Sequence, residues 1–175
     1  MLDLAVCNFK DSLDIRLKQE KPDSNDISVV LFNIAAVYLE IGETDMAIHY
    51  YEQTLNHEYD SNNKDKIDIL ATLKCLAQIH ESQGDLDEAL VYYDEAVSLL
   101  LETLDDSPDT EVAELMSSIG NIYLQKGEVD KAREAYIEAL RINNHQGVDG
   151  ISYIVSDGLN IHDVLTSSSQ SAAAA

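Results

Sequence analysis

The chain reads as an all-α protein, a stack of antiparallel helix pairs, and three observations predict it. Only seven Gly and two Pro stand among 175 residues, too few for the many tight turns of a sandwich or barrel. Three segments align without gaps: IAAVYLEIGETDMAIHYYEQTL from Ile34, LAQIHESQGDLDEALVYYDEAV from Leu76, and IGNIYLQKGEVDKAREAYIEAL from Ile119. On both sides of the glycine in each copy, apolar residues recur at helical spacing, so each copy folds as two helices around a turn.

The register is tight. Gly42, Gly84 and Gly127 are 42 and 43 residues apart, Ala47, Ala89 and Ala132 follow five residues later, and Tyr51, Tyr93 and Tyr136 nine later. A partial copy opens the chain, with Ala5 and Phe9 each 42 residues before Ala47 and Tyr51. Residues 1–20 are therefore expected to be the second helix of a truncated preceding repeat, exposing the apolar stripe Leu2, Val6, Phe9 and Leu13 where a first helix should pack.

Repeat 1 covers residues 28–66. Leu31, Ile34, Ala35 and Tyr38 share one face of its first helix, and Ala47, Ile48, Tyr51 and Leu55 one face of its second. Gly42 suits the positive φ of a helix end, while Glu43, Thr44 and Asp45 are expected to supply capping oxygens and favourable charge to the next helix. Repeat 2 covers 67–109 and repeat 3 covers 110–144. Small residues at Ala35, Ala77 and Gly120, and again at Ala47, Ala89 and Ala132, let paired helices approach closely, with tyrosines filling the space beside them. Residues 145–175 carry no Lys or Arg and are expected to be a cap or a disordered tail.

These strings resemble the tetratricopeptide repeat family. The small residue at Ala35, Ala77 and Gly120, the ring at Tyr38, His80 and Tyr123, the turn glycine, the alanine five later and the following aromatic match that family's motif in order and three times. The resemblance implies a right-handed superhelical α-solenoid over Met1 to about Asn144. HEAT and armadillo arrays have similar periods, but the glycine–alanine–aromatic offsets favour the tetratricopeptide reading. Two departures stand out: His80 replaces an aromatic, and the proline that often ends each unit is missing. Ordinary units run about 34 residues, and these are longer, with the excess after the second helix. Units of 42 residues with a long second helix and an acidic or Pro108-containing linker resemble the kinesin light chain type.

Charge narrows the partners. With 33 Asp+Glu against 11 Lys+Arg the net charge is −22, so there is no positive field for nucleic acid or for anionic membrane surfaces. From Cys75 to Gln125 twelve acids occur without one Lys or Arg. They read as solvated faces, caps and linkers, with electrostatic docking of a basic partner as the functional alternative; DDSPDTE lacks calcium-loop spacing. Cys7 and Cys75 form no CxxC pair and lie at no metal-ligand spacing from His, so a disulfide framework and a metal site are not expected. The start has no basic segment followed by an apolar run, and no stretch approaches the ~20 apolar residues of a membrane helix. Cytosol or nucleus is the default, and cytoplasm the expectation.

No nucleophile elbow, phosphate loop or HExxH occurs, so no enzyme, catalytic residue or cofactor is expected. His80 sits where the repeat packs and reads as a structural histidine.

In such arrays the first helices line a concave surface. The family analogy puts Val29, Phe32, Asn33, Ala36 and Leu39 on it in repeat 1, Lys74, Cys75, Gln78 and Glu81 in repeat 2, and Ser117, Ser118, Asn121 and Gln125 in repeat 3. Amides and hydroxyls can donate to and accept from a peptide backbone, and Phe32 and Leu39 can offer apolar pockets. An asparagine at position 33 resembles the peptide-contacting asparagines of kinesin light chain arrays, whereas Cys75, like Cys7, reads first as a small apolar helix residue, with the groove as its alternative. Domains of this family that grip chaperone C-terminal carboxylates use a set of Lys, Arg and Asn on these positions; here only Lys74 is basic, a poor clamp. The expected function is a non-enzymatic scaffold holding a peptide or partner helix, basic or mixed apolar. The alternatives are an interior segment that stacks on further repeats or another protomer through its N-terminal half-repeat, or a regulatory module of a longer enzyme.

Overall fold

A computed structural model of the chain describes residues 2–19, 22–60, 66–102 and 110–145. Among them are seven α-helices and no strand: α1 Leu2–Leu17, α2 Ser24–Ile41, α3 Thr44–Asp60, α4 Lys66–Gln83, α5 Leu86–Leu101, α6 Thr110–Gln125 and α7 Val129–His145. The expected cap or tail beyond His145, and the linkers at 61–65 and 103–109 with Pro108, lie outside the described residues. Two compact units divide the chain at Tyr92, with α5 running across the division.

The turns are set by three glycines. Gly42, Gly84 and Gly127 have φ of 89°, 86° and 76°, a left-handed conformation that costs a Cβ-bearing residue strain. Each ends its helix in the same way. Gly42 N–H donates to Leu39 O at 3.1 Å and Glu43 N–H to Tyr38 O at 2.9 Å, a pattern repeated by Gly84 and Asp85 and by Gly127 and Glu128. Two otherwise orphaned carbonyls are thereby satisfied per turn. The next helix starts from the backbone, since Ala47 N–H donates to Glu43 O at 3.0 Å. Thr44 differs from expectation: its hydroxyl donates back to Gly42 O at 3.4 Å instead of accepting from a helix amide, and side-chain capping by an accepting oxygen is seen at Asp23, which takes Asn25 N–H at 2.9 Å.

In the first unit α1 packs on α2, α2 on α3 and α3 on α4. Its core joins Ala35, Ala47, Tyr51, Leu76 and Ile79, with Phe32, Tyr38, Ile48, Tyr50, Leu55, Cys75 and Tyr92 against it. The alanines are fully buried, which is what a close helix crossing needs. The α1 stripe is not bare as the sequence reading expected. Val6 is buried and Leu2, Phe9 and Leu13 are half-buried, because α2 supplies a packing surface on that side. Leu4, Ile15 and Leu17 are the large apolar residues of α1 left exposed. Helix α2 is apolar and long enough by composition to cross a membrane; here Ile27, Val30, Leu31, Ile34 and Ala35 are buried within the unit.

Ring stacking repeats with the period. Tyr38 stacks on Tyr50 with centroids 5.4 Å apart and planes 7° from parallel, and His80 stacks on Tyr92 at 5.5 Å and 16°. The histidine thus replaces the expected aromatic as a flat ring. Lys10 of α1 caps the first stack, donating to the Tyr38 hydroxyl at 2.8 Å with its ammonium 5.3 Å from that ring's centroid.

In the second unit α6 packs on α7. Gly120 faces the ring of Tyr136, so close that a Cβ there would lie 2.8 Å from Tyr136 Cε1. The Tyr136 hydroxyl donates to Asn121 Oδ1 at 2.5 Å. Where the earlier repeats stack two rings, Tyr123 instead carries Lys131, 5.2 Å from its centroid.

Candidate functional site

Helices α2 and α4 each bury one face and leave another open. On α2, Val29 and Leu39 are exposed, while Phe32, Asn33 and Ala36 are half-buried; on α4, Gln78 and Ala71 are exposed and Lys74, Cys75 and Glu81 half-buried. This spacing follows from the 3.6-residue turn, because the buried residues Ile27, Leu31 and Ile34 claim one side of α2 and Ile69, Leu73 and Leu76 one side of α4.

A cleft of about 290 Å³ opens within the first unit, lined by Val29, Phe32 and Asn33 of α2, Glu58 of α3, and Asp68 and Ala71 of α4. Phe32 is held edge-on against buried Tyr51, centroids 5.1 Å apart, so its orientation is fixed from behind. Asn33 returns one amide donor to Val29 O at 2.8 Å. Glu58 is the unusual member. Only 6% of it is exposed, Thr72 Oγ1 donates to its Oε1 at 3.1 Å, and its buried Oε2 has no hydrogen-bond partner. Burial pushes its carboxyl up to about 7, the Thr72 bond opposing and the negative charge of Asp68 adding to the rise.

Of the groove residues expected from sequence, Val29, Phe32 and Asn33 line this cleft, and Ala36, Leu39, Lys74, Cys75, Gln78 and Glu81 belong to the same two helices outside it. Cys75 is tied into the core, packed against the cluster that holds Tyr51, and burial raises the pKa of both groups. Ser117, Ser118, Asn121 and Gln125 lie on α6 in the second unit. There Ser117 and Ser118 donate to Ala113 O at 2.8 Å and Glu114 O at 3.3 Å, and Asn121 holds Tyr136, so these polar groups serve their own unit.

Sequence reasoning missed Glu58, Asp68 and Ala71. A signal for Glu58 existed in the repeat register. Sixteen residues after each turn glycine stand Glu58, Leu100 and Asn143, all buried, so a carboxylate occupies a packing position. Among the described residues no group of three or more His, Cys, Asp and Glu is placed to hold a metal ion.

Two family models, each described as tetratricopeptide repeat, match residues 30–65 and 68–145. A search of curated proteins by sequence gives no match. Among solved structures the chain is similar to BtubC from P. vanneervenii, with a TM-score of 0.70 at 20% identity over 98% of this chain and 66% of that one. It is also similar to a putative kinesin light chain with nearly identical TPR-like repeats from Podosopora anserina (TM-score 0.69, 17% identity, 99% of this chain and 80% of that one). A third similar structure is aspartyl phosphate phosphatase F from Bacillus subtilis (TM-score 0.69, 14% identity, 99% and 43%). The chain thus spans just under two thirds of BtubC and less than half of the phosphatase. At these identities the likeness is one of fold. Repeats of this kind generally mediate protein–protein interactions, and the fold is typically a non-enzymatic interaction scaffold. With matched models over most of its described helices, the chain belongs to the tetratricopeptide repeat family.

Proposed function

We propose that the protein is a non-enzymatic scaffold that holds a peptide segment or partner helix along the open faces of α2 and α4. The observation that carries this reading is the cleft beside Phe32 and Asn33, which combines fixed apolar surface with polar and acidic groups on rigid helices. Pre-ordered helices lower the ordering cost of binding, and a chain of net charge −22 steers basic segments towards itself. The preferred partner is therefore basic or mixed basic and apolar. Two free thiols, Cys7 and Cys75, suit a reducing compartment, and we assign the protein to the cytoplasm. Calorimetric titration with matched basic, neutral and acidic peptides tests the reading. Preference for the basic set supports it; preference for the acidic set, or no binding in any set, sinks it.

A second reading rests on α1. Leu4 and Ile15 are 65% and 66% exposed, so α1 can also stack on a further repeat or another protomer. Sedimentation of Leu4→Glu/Ile15→Glu beside the parent decides it: a monomeric parent with unchanged behaviour of the variant contradicts assembly through α1.

A further inference from the structure

We infer that the Glu58 cleft is a receptor for one arginine side chain of the bound partner, an inference that rests on the peptide-scaffold reading and names its anchor. Three features point to this ligand. A carboxylate has been placed at a repeat position taken by Leu100 in the next copy, and its Oε2 is buried without a partner. Such an atom costs free energy unless something donates to it. Among the described residues the charge that acts on it is that of Asp68, of the same sign.

The chemistry of the walls selects the donor. Glu58 and Asp68 offer two carboxylates in one cleft, and a planar guanidinium with five N–H donors can reach both at once, which a compact ammonium does less well. Val29, Phe32 and Ala71 provide the apolar surface that an arginine's methylene stem covers, and the face of Phe32, whose ring is braced by Tyr51, meets the guanidinium plane. At about 290 Å³ the cleft lies at or below the roughly 300–1,000 Å³ of small-molecule sites, a size for one long side chain. Asn33 on the rim is positioned to meet the partner's backbone.

The test uses the full chain with N-acetyl-L-arginine amide and its neutral isostere N-acetyl-L-citrulline amide, followed by NMR of the Glu58 carboxyl, the Val29 and Ala71 methyls and the Phe32 ring. The expected result is saturable, roughly millimolar binding of the arginine probe at those four residues, at least tenfold weaker citrulline binding, and at least tenfold weaker arginine binding in Glu58→Gln. Should that variant fail to fold, Asp68→Asn is expected to weaken the arginine probe threefold or more. Equal shifts with citrulline, or arginine shifts elsewhere only, overturn the inference. Selection from a random dodecapeptide library separates it from the broader reading. Arginine-free binders indifferent to Glu58→Gln overturn the arginine anchor and leave the scaffold standing. No binders, with the arginine probe still bound, overturn the scaffold and leave the cleft.

Discussion

Gly120→Ala sets two opposing effects against each other, and the structure decides the sign. Gly120 lies inside α6, where alanine is favoured over glycine by about 1 kcal/mol on helix propensity. Against this, the added Cβ would sit 2.8 Å from Tyr136 Cε1, 2.9 Å from Cζ and 3.0 Å from Cδ1, well inside the roughly 3.5–4.0 Å optimum for carbon pairs. A ring tip can swing away when it is loose, but Tyr136 is 1% exposed and its hydroxyl is anchored on Asn121. The whole ring must shift by several tenths of an ångström, at an overpacking cost of about 1–3 kcal/mol. The net expectation is a destabilisation of about 0–2 kcal/mol, read as the change in urea midpoint followed by circular dichroism. In a Tyr136→Phe background the ring loses its anchor, so the same substitution should cost measurably less, a coupling that a double-mutant cycle reports. A Gly120→Ala protein more stable than the parent would refute the close helix crossing from which the fold is argued.

Other outcomes are open to measurement. Glu58 has a folded carboxyl raised from 4.5 to about 7, so its protonated form is favoured on folding: its contribution is fully present below pH 4.5, is lost as pH rises to about 7, and is constant above that. The loss is up to about 3 kcal/mol, and the difference between parent and Glu58→Gln urea curves across pH 4–8 isolates it from the other carboxylates; a flat difference contradicts a buried, unpartnered Oε2. Asn121→Ala leaves the Tyr136 hydroxyl without its acceptor and should cost about 1–3 kcal/mol in the same assay. Ala47→Leu, at a fully buried position of the first-unit core, should cost about 1–3 kcal/mol or more, and Gly84→Ala, at φ 86° with open space around it, about 1–2 kcal/mol from backbone strain alone.

The helix pairs could be read from the string because each determinant is local. A glycine ending one helix, an alanine five residues on and a tyrosine nine residues on fix the turn, the crossing and its filler, and their threefold recurrence removes the ambiguity of a single copy. Phe32 and Asn33 were reachable through the family analogy, which places these positions of the first helix on the inward face. Other features depend on which helix lies alongside. The α1 stripe is half-buried because α2 lies against it, a contact that the residues of α1 alone do not specify. Asn121 looked like a groove amide, yet its use is decided by a tyrosine 15 residues away on the neighbouring helix. Glu58 was hidden because a glutamate late in a polar helix ordinarily points to water, and only comparison with Leu100 and Asn143 in register reveals a buried site.

The central claim is that recognition belongs to the open faces of α2 and α4. Amide and methyl chemical-shift mapping of the full chain with a library-selected basic peptide tests it most directly. Perturbations concentrated at Val29, Phe32, Asn33, Leu39, Ala71 and Gln78 are predicted, and perturbations confined to α1 or to the outer residues of α3, such as Glu52 and Asn56, would contradict it.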